Sequence, residues 1–427
     1  MDYIVVTFHQ VALYQLAAFP FALMYSYLCS LGHLPITLRH VYLLVGGIIL
    51  AFVSMGPFAL LLLTPALGSI LLFHIVSWKS VHRWAFTLQM SWQTGCHIWL
   101  LYREYYLQEA MTTRLSIMIS SLMLLTQKVT SLALDIHERQ MTIIILDGSL
   151  MKHFCPQVAH NILIILSYFM FFPALLGGPL CSFETFQQQI CKSHMPNGLW
   201  SIWLVIKGCA LAVFLRILHA LVYENINLQC TLMDCEQLNC IYIMWITAFL
   251  FKLTYYSHWI LDHTLFHVAG FVTDVYHSVG FYTDFSDADI WTLETTCKIS
   301  VFARTWNKST ARWLKRLVFQ HCKTRPLLMT FVFSAWWHGF YPGQVFGFLC
   351  WAAMVKADYR VHNYLDTCQK TWYIQSLCKA FTWVQTQLII AFIMMAVEMR
   401  SFAIVWALCT SSNSLFPILY CVSAMFL

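Results

Sequence analysis

Long apolar stretches recur along the whole chain, at 3–29, 41–55, 58–76, 86–101, 115–134, 159–180, 200–223, 240–261, 327–354, 380–397 and 401–427. A helix rises about 1.5 Å per residue and the hydrocarbon core of a bilayer is about 30 Å thick, so roughly 20 such residues span it. Only 10% of the residues are charged and 59% are hydrophobic, whereas a soluble domain carries roughly 25% charged residues. The expected fold is an all-α, polytopic transmembrane helical bundle of about 10–12 membrane segments. Several segments contain interruptions, at Gly56-Pro57, Pro65, Pro173 with Gly177-Gly178-Pro179, and Pro342-Gly343. Broken helices are tolerated at membrane depth where the backbone is buried in protein or lines a cavity. Some segments are therefore expected to be broken or re-entrant, and the bundle to enclose an internal chamber.

The length fits one membrane-embedded domain, 1–427, with no large soluble partner domain. No internal repeat of the kind that marks many transporters is visible. Met1 and Asp2 stand where a cleavable signal would carry basic residues, so the first span is expected to act as its own insertion signal. The net charge of +6 is too small and scattered for nucleic acid; it fits basic loops facing the cytosol and anionic lipid. Cysteines such as Cys350, Cys409 and Cys421 sit in apolar runs, where they behave as small hydrophobes. Cys230, Cys235 and Cys240 recur every five residues, which is neither a zinc nor a redox spacing. They are read as structural, with a lumenal disulfide as the alternative, and no metal site is expected.

His338 is the one readily ionisable side chain of the apolar run 327–354, Tyr341 aside. An ionisable group at such depth costs at least about 2–3 kcal/mol, so it is usually kept for a task. An imidazole titrates near neutrality and can take and return a proton; the competing reading is a packing histidine bonded to a carbonyl. The interval 262–326 is the longest polar-rich one, and no acidic residue occurs from Arg304 to Arg325. Arg304, Lys308, Arg312 and Lys315 are spaced by four, four and three, which would place them along one helical face. Two readings remain open here: a cytosolic positive-inside loop, or a site for a phosphate-rich cosubstrate. A helix from Arg325 would carry His338 about 20 Å past this basic border. Asn307 opens the sequon Asn307-Lys308-Ser309, but its basic neighbours place it at the cytosolic face, where a catalytic asparagine is the stronger reading.

A Trp306-Asn307 segment followed some thirty residues later by Ser334-Ala335-Trp336-Trp337-His338-Gly339 resembles the membrane-bound O-acyltransferase family. In that family an asparagine and a histidine form the site of acyl transfer from acyl-CoA. Longer blocks resemble a peptide-acylating branch of it, among them 81–109 (VHRWAFTLQMSWQTGCHIWLLYREYYLQE), 121–135, 168–186, 240–262, 287–320 and 331–360. The stretches 139–158, 187–199, 224–232 and 270–286 carry the resemblance least. The resemblance implies a multi-pass enzyme of the endoplasmic reticulum membrane with no permanently bound cofactor. It would move octanoyl from octanoyl-CoA to a serine of a peptide hormone beginning Gly-Ser-Ser-Phe. His338 is implied as general base and Asn307 as the group orienting the thioester, with Arg304, Lys308, Arg312 and Lys315 offered to the CoA phosphates. Phe331 and Trp351, with Trp306 and Trp337, are implied as substrate-binding aromatics; bundle packing is the plainer role for rings at such spacing.

Asp135, Lys252, His258, Asp262 and Glu398 with Arg400 are expected to serve as interhelical bonds or interfacial anchors. His258 and Asp262, one helical turn apart, are candidates for a hydrogen bond. Rival functions are a lysophospholipid acyltransferase of the same family, a proton-linked transporter using His338 as relay, and a non-catalytic scaffold.

Overall fold

The structure is a computed structural model of the chain and describes residues 2–138, 155–191, 198–225, 235, 237–271, 289–368 and 372–426. Cys230, Asp284, Asp287 and most of the four weakly matching stretches lie outside the described residues. Those that are described fold as helices only: α1 (Asp2–Ser30), α2 (Ile36–Met55), α3 (Ala59–Ile75), α4 (Val81–Leu101), α5 (Thr113–His137), α6 (Cys155–Phe169), α7 (Phe183–Cys191), α8 (Gly198–Asn225), α9 (Gln237–Val268), α10 (Ile290–Thr295), α11 (Ile299–Thr305), α12 (Lys308–Leu314), α13 (Pro326–His338), α14 (Pro342–Cys368), α15 (Trp372–Met399), α16 (Phe402–Thr410) and α17 (Leu415–Phe426). This is the all-α, polytopic membrane bundle that the apolar stretches predict.

Among the described residues, six helical stretches are long and apolar enough to cross a membrane, or seven if the pair Phe402–Thr410 and Ser412–Phe426, bent by 74°, counts as one. Of the other expected segments, 41–55 and 58–76 fall within the single stretch Ile36–Ile75, 159–180 and 327–354 are broken, and 86–101 lies in α4, which is long enough but less apolar. The run 327–354 is not one helix but two: α13 ends at His338 and α14 starts at Pro342, packed back against it. Gly339, at φ 132°, takes a backbone conformation that side chains disfavour, and Pro342 has no N–H to carry a helix through. Within Ile36–Ile75, Gly56 at φ 60° marks the junction between α2 and α3.

The chain divides into two compact units, Met1–Val213 with His258–Ser286, and Phe214–Ser257 with Asp287–Leu427. In the first, α5 forms the centre, 78% of its span being buried. A buried polar group must be matched there, and Lys128 donates to the Tyr168 and Phe169 carbonyls at 3.1 and 3.3 Å, closing the broken end of α6. Gly47 admits that end: a Cβ on it would overlap the Met170 carbonyl oxygen. Phe171, Phe186, Phe266 and Phe271 fill the space beside it, with ring centroids 4.5–5.9 Å apart for the pairs on Phe171 and Phe186.

His258 and Asp262 do pair, but through a third residue. Gln15 of α1 accepts from His258 Nδ1 at 2.7 Å and donates to Asp262 Oδ1 at 2.7 Å, so all three buried side chains lock α1 to the end of α9. Cys235 and Cys240 are joined by a disulfide across the first turn of α9, where their Cα atoms stand 5.2 Å apart. The sequence reading gave a bridge among these cysteines as the alternative to a plain structural role, and a Cα separation of this size lies within the usual disulfide range.

Candidate active site

Both residues singled out by the sequence lie in the second unit, each where a helix breaks. His338 is the last residue of α13, and the Gly339 N–H closes the helix on the Ala335 carbonyl at 3.1 Å. Its half-buried imidazole stacks on Phe348 of α14, centroids 4.6 Å apart and planes at 29°, and meets the edge of Trp337 at 4.8 Å. The break at 339–341 thus folds one arm of a helical hairpin over the other and lays a ring of the second on the imidazole of the first.

Asn307 separates α11 from α12. Its backbone, φ −147° and ψ 87°, is not helical, and its Oδ1 accepts from the Thr310 N–H at 2.9 Å and from the Ser309 hydroxyl at 3.4 Å. This is an N-cap, worth about 0.5–2 kcal/mol. The cap uses the oxygen of the side-chain amide and leaves its NH₂ group, a donor, for other work.

Two series of ring contacts join these breaks. Trp306, beside Asn307, stacks on Phe302 at 5.5 Å and meets Tyr255 at 5.3 Å. Phe302 lies 6.4 Å from Trp351, Trp351 is 6.3 Å from Phe348, and Phe348 covers His338. On the other side Trp313 of α12 packs on Trp337 at 5.1 Å and on Phe333 at 5.8 Å. Each such pair adds about 0.5–1.5 kcal/mol beyond burial, so Asn307 and His338 are held by one aromatic framework. The expected substrate aromatics fall within it: Phe331 and Trp351 are neighbours at 6.0 Å, and Trp306 and Trp337 flank Asn307 and His338.

The basic row differs from its expected form. The non-helical Asn307 interrupts the helix between Arg304 and Lys308, so Arg304 does not continue the row. It is exposed at the end of α11 and donates to the Ser300 carbonyl at 3.1 Å. Lys308, Arg312 and Lys315 remain one series through α12 and the wide turn Lys315–Phe319 that follows it, with Arg312 and Lys315 exposed.

Two buried polar groups that the sequence reading left without a site role anchor these short helices. Asp358 of α14, 1% exposed, caps α11 with both oxygens, accepting from the Ile299 and Ser300 N–H groups at 3.1 and 3.0 Å. Tyr420 donates to the same carboxylate at 2.9 Å, and His362 donates to the Cys297 carbonyl at 3.0 Å. Asp358 lies just beyond an apolar run, and its partners are far away in the sequence, so local spacing gives no sign of the bond. Lys252 pairs with Glu294 at 2.9 Å and donates to Gln387 at 3.0 Å, holding α10 against α9 and α15. Glu398 accepts from the Tyr255 hydroxyl at 2.7 Å, and the Arg400 guanidinium lies 5.3 Å over the Tyr341 ring. Lys252 and Glu398 thus make the expected interhelical bonds, whereas Arg400 and Tyr341 meet from two breaks between helices.

Residues 48–397 match the sequence profile described as MBOAT, membrane-bound O-acyltransferase family. The chain is 49% identical over 414 residues to the membrane-bound ghrelin O-acyltransferase of Rattus norvegicus, covering 97% of this chain and 95% of that one. Against the enzyme of the same description from Mus musculus it is 49% identical over 425 residues, covering 98% and 97%. The membrane-bound glycerophospholipid O-acyltransferase 1 of Homo sapiens is 28% identical over 396 residues, covering 84% and 78%.

Proposed function

Because this chain belongs to the membrane-bound O-acyltransferase family, we propose that it transfers a medium-chain acyl group, octanoyl, from acyl-CoA to a serine hydroxyl of ghrelin or its precursor. The observation that carries this reading is the near full-length similarity to two ghrelin O-acyltransferases, at 49%, against 28% for a glycerophospholipid enzyme. The acceptor begins Gly-Ser-Ser-Phe, the membrane is that of the endoplasmic reticulum, and the whole chain works as one membrane-embedded domain.

In this reading His338 is the general base. A serine hydroxyl is far too weak an acid to attack unaided, so its proton passes to the imidazole as the oxygen bonds to the thioester carbonyl carbon. The carbon–sulfur bond then breaks, and the leaving thiolate takes the proton back from the imidazolium. The Asn307 NH₂ group donates to the thioester carbonyl oxygen, where negative charge develops; its cap fixes the amide so that the donor half is the one presented. The neighbours of His338 are Trp337 and Gly339, neither a nucleophile, which favours direct transfer over an acyl-enzyme. Lys308, Arg312 and Lys315 bind the CoA phosphates, with Arg304 a more distant contributor.

Burial of each methylene gives only about 0.8 kcal/mol, so affinity alone favours longer chains. Preference for eight carbons requires a closed end that rejects palmitoyl by overlap, and the Phe331–Trp351 pair supplies the bulk for it. The deciding experiment supplies octanoyl-CoA to membranes containing this protein, with either a Gly-Ser-Ser-Phe peptide or a lysophospholipid. An octanoylated peptide supports the reading; acylated lipid alone overturns it.

A further inference from the structure

Gln344 stands in the first turn of α14, 5% exposed, and its side-chain oxygen Oε1 has no hydrogen-bond partner among the described residues. Buried polar atoms are nearly always matched, and an unmatched one calls for an explanation. Its place in the fold supplies one. Residues 344, 348 and 351 recur at i, i+4 and i+7, so they share one face of α14. Phe348 on that face stacks on His338, and Trp351 meets Phe331 of α13. The hairpin of α13 and α14 closes at 339–341, so Gln344 sits at the closed end with His338. Trp351 lies about 10 Å back along the helix, towards the Arg325 end.

We propose that Gln344 is a binding residue for the acyl acceptor, its Oε1 accepting a hydrogen bond from a backbone N–H of the peptide flanking the acylated serine. This rests on the acyltransfer reading above. The serine hydroxyl cannot be the donor, since its proton goes to His338. A peptide offers amide N–H groups on both sides of that hydroxyl, whereas a lysophospholipid offers none beside its own. The unmatched oxygen therefore selects for the class of acceptor as well as for its position. It does so from the end of the hairpin opposite to the one that begins at Arg325, beside the basic helix.

The test uses the full-length enzyme in membranes at fixed octanoyl-CoA. The acceptors are a Gly-Ser-Ser-Phe peptide and two analogues in which an ester oxygen replaces the amide N–H before or after the acylated serine. In wild type, one of the two esters raises KM for the acceptor roughly tenfold, the scale of one buried hydrogen bond. Gln344→Leu with the all-amide peptide shows a rise of the same size, leaves KM for octanoyl-CoA unchanged, and shows no further loss with that ester. Its thermal midpoint holds or rises, because an unmatched polar atom has been removed. If neither ester affects the wild type, the proposal is overturned whatever the variant does. It is overturned equally if the Gln344→Leu and ester effects are fully additive. A wild type that acylates lysophospholipid and not the peptide sinks the functional reading itself. A wild type that acylates the peptide, with Gln344→Leu unchanged in KM, sinks only this inference.

Discussion

The imidazole of His338 lies flat against the phenyl ring of Phe348, their planes at 29° and their centroids 4.6 Å apart. The two residues belong to opposite arms of a helical hairpin, and the stack fixes the plane in which the histidine can take a proton. Phe348→Leu keeps an apolar side chain of similar volume, a change that usually costs less than about 1.5 kcal/mol. It removes the flat surface, however. Turnover should fall at least roughly tenfold, in line with the sensitivity of proton transfer to misplacement, while the thermal midpoint in detergent moves little. Steady-state rates and a melting curve on the same preparation check both halves.

Asn307 has two jobs that substitution can separate. Asn307→Asp retains an oxygen to accept the Thr310 N–H, so α12 stays capped, but it has no N–H to give a substrate. It should be nearly inactive and close to wild type in stability. Asn307→Ala should be inactive and also about 0.5–2 kcal/mol less stable through loss of the cap. His338→Ala should abolish transfer in a protein that still inserts. Near-normal turnover in Asn307→Asp or His338→Ala would remove that residue from the mechanism.

Trp351 is packed against Phe302, Phe331 and Phe348. Trp351→Ala opens the space of an indole and should admit donors longer than octanoyl, at a stability cost of about 3–5 kcal/mol. The check is a competition among acyl-CoA chain lengths. An unchanged preference means that the wall at the chain end lies elsewhere.

The break at Asn307 ranks the basic residues. Alanine at Lys308, Arg312 or Lys315 should raise KM for acyl-CoA severalfold, as expected for exposed charge-assisted bonds, and the penalty should shrink as salt is raised. Arg304→Ala should do less, because Arg304 stands on another helix and is engaged with the Ser300 carbonyl. Equal effects at all four positions would contradict this ranking.

Asp358 acts through α11. Asp358→Asn replaces one of its two acceptor oxygens by a donor facing a backbone N–H, which should cost about 1.5–3 kcal/mol. The predicted signature is a fall in kcat larger than any rise in KM for either substrate, because Asn307 loses its position while the binding groups remain. Asp358→Glu should recover part of the rate if the cap is the cause. Proportionate loss of folded protein with unchanged kcat would mark the residue as structural only.

The sequence by itself determined the solvent in which this chain folds, its helical class, an interruption near Pro342-Gly343 and the two side chains, His338 and Asn307, that stand out as site candidates. Each is a local property: an apolar run needs a bilayer, a glycine or proline ends a helix, and His338 is conspicuous because its surroundings are apolar. Tertiary structure decided what those side chains meet. The run 327–354 reads as one span because hydropathy does not register that Gly339 reverses the chain, and the basic row reads as one face because spacing does not register that Asn307 stops the helix. Phe348 against His338, Asp358 beneath α11 and Gln15 between His258 and Asp262 join helices whose residues are from ten to more than two hundred positions apart. Such bonds follow from which helix faces are brought together, and no local pattern encodes that, because the groups are chemically unremarkable until their partners arrive.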